Sequence, residues 1–152
     1  MNERGVKMKK CGILLMVVSA AMILTFTGCS SSSVSELEDT EWVLDSYGDR
    51  DNLQNVIEDT EVTATFNSED NQVTGSAGCN SYFGDYEIND GISIGMLGHT
   101  EMWCGEPEGR MDQETEYLKI LQAAESYEVE GSTLTINCGD DVLIYTASEA
   151  AN

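Results

Sequence analysis

The sequence predicts an α+β fold, mainly β: an antiparallel sheet of short strands with one α-helix placed before its last strands. Three observations predict it. Apolar and polar residues alternate in short runs between residues 40 and 96 and again after residue 124. Clusters of Gly, Asn, Asp and Ser separate those runs as turns do. The apolar period becomes helical only between Pro107 and Ala124.

Taken in order, residues 40–47 alternate as a strand with Trp42 and Leu44 on one face, and Trp42 reads as a core anchor. Residues 48–55 are a polar loop, and Val56 and Ile57 are too few to assign. A second strand over 61–66 sends Val62, Ala64 and Phe66 to the core and Thr63 and Thr65 outward, and 67–71 turns the chain. The return strand, 72–77, is built of small residues, which marks a bulge or a close approach by another element. After a break at 78–80 come a strand over 82–88, a hairpin turn at Asn89-Asp90-Gly91 and a strand over 92–96.

The helix is expected over 107–124, with Tyr117, Leu118, Leu121 and Ala124 on its apolar face and Met111 seven residues before Leu118. Asp112, Glu114 and Glu116 lie early and Lys119 late, as the helix dipole favours. Tyr127 and Val129 suggest the next strand, and Leu134, Ile136 and Cys138 the inward face of another. Residues 142–145 are apolar on both faces, as in a central strand. Residues 148–152 are expected to fray.

The chain has 152 residues and a net charge of −21. Residues 1–28 carry +3, and subtracting +3 from −21 leaves −24 for the rest. So acidic a body repels phosphate backbones and anionic headgroups and has no basic stripe, which argues against nucleic acid as a partner. A solvated acidic surface is the simplest account of the charge. No Asp-x-Asn/Asp-x-Asn/Asp-Gly calcium loop occurs.

Residues 8–29 run from Lys9 and Lys10 through an apolar stretch to Phe26-Thr27-Gly28-Cys29, the order of an export signal. Met8 reads as a more natural start than Met1. The end of the run resembles a bacterial lipoprotein box, which makes Cys29 the expected site of lipidation, followed by a Ser-rich tether over 29–38 and a folded domain over 39–147. Export would remove Cys11 with the signal, and Cys29 would carry lipid. Cys79, Cys104 and Cys138 then share at most one disulfide, with three pairings open.

The opening Trp42-Val43-Leu44-Asp45-Ser46-Tyr47, the block Gly75-Ser76-Ala77-Gly78-Cys79-Asn80-Ser81-Tyr82-Phe83-Gly84-Asp85-Tyr86, Thr100-x-Met102-x-Cys104, and the helix with Glu116-Tyr117-Leu118 together resemble the META domain, also described as HslJ-like. The resemblance covers residues 39–146. It implies a curved antiparallel sheet, a partial barrel, with the helix packed on it, and a disulfide between Cys79 and Cys104. Closing a loop of about 25 residues stabilises by roughly 3 kcal/mol. It further implies an exported envelope protein linked to stress, drug resistance or motility, and it implies no enzyme. Trp103, Glu101 and Cys138 depart from the family pattern.

Catalytic readings fit the residues poorly. Trp103-Cys104-Gly105 resembles the start of a thioredoxin site, but Pro107 stands where the second cysteine is needed. Cys79 with His99 lacks an orienting group, and Cys79, His99, Cys104 and Cys138 lack the close spacing of a structural zinc site. His99 is expected in a loop, and Glu101, Glu106 and Glu108 on an acidic, solvated edge. No catalytic, metal or cofactor residue is therefore expected. The expected function is a non-catalytic envelope binding or structural module, a monomer anchored to the membrane by lipid. The alternative is a carrier of an apolar or peptide ligand on the curved sheet face, with Tyr82, Tyr86 and Trp103 as the candidate surface.

Overall fold

Alternation and turn chemistry produce ten strands and two helices in the computed structural model, which describes residues 34–148. The elements are α1 (Val34–Leu37), β1 (Glu41–Asp49), β2 (Gln54–Asn55), β3 (Thr63–Asn67), β4 (Gln72–Ser76), β5 (Ser81–Ile88) and β6 (Ile92–Ile94). They continue with β7 (Gly98–His99), α2 (Arg110–Leu121), β8 (Ser126–Glu130), β9 (Thr133–Cys138) and β10 (Asp141–Ala147). The expected signal, Cys29 and the tether as far as residue 33 lie outside the described residues, as do residues 149–152. Among the described residues no helix is long and apolar enough to cross a membrane.

The strands pair antiparallel in the order β6-β5-β4-β3-β1-β10-β9-β8, with β2 on β1 and β7 on β5. The sheet curls into a nearly closed barrel with a seam. At the seam the Ile92 N–H donates to the Glu125 carbonyl across 3.1 Å. Gly91 is required there, since a Cβ on it would stand 2.2 Å from the Glu125 oxygen. A bulge between Leu44 and Ser46 shifts the register of β1 against β10, the kind of irregularity that bends a strand.

The inward residues are those the alternation selects. Trp42, Leu44, Val62, Ala64, Phe66, Leu134, Ile136 and Cys138 are buried, and β10, lying between β1 and β9, buries Val142, Leu143 and Tyr145. The domain begins earlier than residue 39. Leu37 is fully buried, its carbonyl accepts from Trp42 Nε1 at 2.9 Å, and Glu38 accepts from the Tyr86 hydroxyl at 2.6 Å. The end of the expected tether is therefore held by the barrel. Ser148 is also tied down, donating its N–H to Glu41 O at 2.8 Å.

Helix α2 is shorter than the expected 107–124 and turned differently. Its buried stripe is Gln113, Glu114, Tyr117, Ile120 and Leu121, while Leu118 and Met111 sit on its flank, half-buried. The strand expected over 92–96 stops at Ile94, and Met96 is exposed.

Candidate functional site

The β4–β5 corner is built by small residues, each with a geometric reason. A Cβ on Gly75 would lie 2.0 Å from Thr63 O, so β3 and β4 can approach only with glycine there. Ser76 N–H donates to Thr63 Oγ1 at 3.0 Å, Ala77 N–H donates to Asn80 O at 2.8 Å, and Gly78 adopts a φ of +110°, which favours glycine. The turn leaves the backbone amides of Cys79 and Asn80 aimed at helix α2.

Glu114 meets them. Its Oε2 accepts from Cys79 N at 3.2 Å and Asn80 N at 2.7 Å, and its Oε1 accepts from Asn80 Nδ2 at 2.7 Å. Glu114 is only 4% exposed, and both its oxygens accept hydrogen bonds, as buried polar atoms require. Asn80 carries the connection onward. Its Oδ1 accepts from Thr100 Oγ1 and from Met102 N, both at 2.7 Å, and its Nδ2 also donates to Met102 O at 3.1 Å. Gln113 does a parallel task, accepting from Ile57 N at 2.7 Å and donating to Thr60 Oγ1 at 3.0 Å.

The disulfide Cys79–Cys104 closes the same junction, with Cα atoms 5.9 Å apart. Cys138 is free and buried. Burial, with Asp141 and Glu125 adding to it, pushes its thiol up to about 12, so it carries little thiolate at neutral pH. Behind the junction Tyr145 donates to the Tyr117 hydroxyl at 3.2 Å, Tyr117 and Tyr82 share a bond of 2.8 Å, and Tyr82 donates to Thr63 O at 2.9 Å. Desolvation holds all three phenols well above their ordinary range.

The family model for the META domain matches residues 35–150. The chain belongs to the META domain family. Among solved structures, an NMR structure of a protein from Burkholderia xenovorans is similar at 27% identity and TM-score 0.65, covering 76% of this chain and 86% of that one. A second NMR structure is 19% identical at TM-score 0.57, covering 74% and 92%. A DUF4847 family protein from Bacteroides vulgatus ATCC 8482 is 12% identical at TM-score 0.54, covering 78% and 100%; these last two share the fold. A comparison with curated proteins finds no match.

In this META domain the three aromatics expected to form a ligand surface do not come together. Tyr82 and Tyr86 are each 2% exposed. They are core residues, because β5 points both rings inward and their hydroxyls are bonded to Thr63 O and Glu38. Trp103 alone is outside, 80% exposed beside Met102 at 58%. His99 lies in β7 rather than in a loop, exposed, with Nδ1 2.8 Å from Thr100 O. Glu101, Glu106 and Glu108 are exposed, and Glu108 lines a cleft with Trp103. Glu114 and Asn80 were missed as candidates. The available signal was spacing, since Gln113 and Glu114 stand four and three residues before Tyr117 and so share its face.

Proposed function

We propose that the chain is an exported, membrane-anchored META-domain lipoprotein whose domain is a non-catalytic binding or structural module of the cell envelope. The supporting observation is how the junction uses its polar groups. Glu114, Asn80 and Gln113 are each bonded to backbone or side-chain groups of the loops they join, so Glu114 and Asn80 position the 98–104 segment, and Gln113 the 57–60 loop, rather than face a substrate. Export and anchoring draw on the basic start, the apolar run and Cys29. A monomer fits the charge, since −24 on the body opposes self-association.

The carrier alternative draws less support. Trp42, Phe66, Tyr82, Tyr117 and Tyr145 are large side chains buried in the core, which leaves an apolar ligand the outer surface. Metabolic labelling with an alkynyl fatty acid, followed by membrane fractionation, tests the anchoring. Wild type is expected to take label and sediment with membranes, and Cys29→Ser to do neither. Equal labelling of the two would refute lipidation at Cys29.

A further inference from the structure

Trp103 is the largest apolar side chain the domain leaves in water. Exposed Phe83 has a local task, because its ring lies over Gly98, where an added Cβ would stand 2.8 Å from Phe83 Cζ. Trp103 instead shares a surface cleft of about 220 Å³ with the first turn of α2, and Met111, Asp112 and Glu108 also line it. That volume suits one long side chain, below the range of a typical small-molecule site. The loop bearing the indole is fixed from two directions, by the disulfide to Cys79 and by the Asn80 bonds to Met102. A pre-positioned tryptophan loses little freedom on binding, and tryptophan is enriched among residues that dominate interfaces.

The chemistry around the indole selects its occupant. Glu101, Glu106, Glu108 and Asp112 are exposed on the same segment. Arg110 also lines the cleft, but its terminal nitrogens are turned to backbone, donating to Glu106 O at 2.9 Å and Asp59 O at 3.0 Å. An aromatic face with the Glu108 and Asp112 carboxylates in the same cleft attracts a guanidinium or ammonium group through both the ring quadrupole and the charge. Anionic lipid, nucleic acid and a second copy of this chain are all repelled by a body of charge −24.

We propose that the Trp103 cleft is the docking site for a cationic segment of a partner protein, which lays an arginine or lysine side chain over the indole and sets its charge against Glu108 and Asp112. This rests on the domain being a binding module and is independent of how Cys29 is modified. The test is fluorescence anisotropy of labelled acetyl-Arg-Leu-Arg-Leu-Arg-amide titrated with the full chain in detergent. The same measurement is made with a glutamate-for-arginine version of the peptide and with Trp103→Ala, Trp103→Tyr and Cys29→Ser chains.

The arginine peptide is expected to bind saturably and the glutamate version not to bind. Trp103→Ala should weaken binding by at least about tenfold at unchanged net charge, Trp103→Tyr should weaken it less, and Cys29→Ser should leave it unchanged. Equal affinity of Trp103→Ala and wild type would reduce the effect to bulk charge and overturn the proposal. Sedimentation showing a wild-type dimer that Trp103→Ala dissociates would overturn it in favour of a self-interface. A chain that takes lipid at Cys29 yet fails to bind the arginine peptide would refute the docking site and leave the anchoring intact.

Discussion

Glu114 shows at the scale of one residue how a carboxylate can hold a loop. Two of its three hydrogen bonds come from buried Asn80 groups and the third from the half-buried Cys79 amide, so Glu114→Ala is expected to cost about 2–3 kcal/mol in urea unfolding. Glu114→Gln should also destabilise, because its amide nitrogen must face a donor at either oxygen position. From sequence, Glu114 looked like one more acid favoured by the helix dipole, since composition does not reveal which acid faces a buried turn. Gly75 was more legible: a run of small residues announced a close approach, and Thr63 O supplies it. Gly75→Ala should therefore destabilise by about 3 kcal/mol or more, against under about 1 kcal/mol for an unconstrained site. Cys138, inward as the alternation predicted, should resist an aromatic disulfide reagent at pH 8 in the native state and react once unfolded. Equal rates in both states would contradict its burial.

Among elements, strands were easier to foresee than the helix face. Alternation is a strict two-residue rule, so Val62, Ala64 and Phe66 could be placed inward from their order alone. Helix α2 buries Gln113 and Glu114, and polar residues on the inner stripe hid its true orientation from a search for apolar spacing. The Cys79–Cys104 pairing was legible through family resemblance, whereas the residues by themselves left three pairings open. Beyond the pairing of β7 with β5, two devices hold the 98–104 segment, and they should separate under mutation. Replacing both Cys79 and Cys104 by serine is expected to cost about 3 kcal/mol through loop entropy, yet leave Thr100 and Met102 bonded to Asn80. Loss of amide protection at Met102 in that variant would show that the disulfide alone orders the loop.

For the whole molecule, the barrel closes through one seam bond, Ile92 to Glu125, and its interior is crossed by three phenols. Their folded pKa values are raised above the unfolded value of about 10. The stability they contribute is thus fully present below about pH 10 and lost as pH rises beyond it. Asp39 acts at the other limb. Its bonds from the Ser68 side chain and backbone lower its pKa, so its contribution is present above about pH 4 and lost as pH falls through the folded value. Urea midpoints between pH 8 and 11 should fall above pH 10, and a flat profile would contradict the buried phenol chain. The sheet order around β1 was not legible, because pairing β1 with both β3 and β10 depends on contacts far apart in sequence. The central claim is that a buried carboxylate and one asparagine position the exposed Trp103 segment. Native-state amide exchange at Cys79, Asn80 and Met102 tests it most directly. All three should be protected in wild type and lose protection together in Glu114→Ala while β10 amides stay protected; rapid exchange of the three in wild type would contradict the claim.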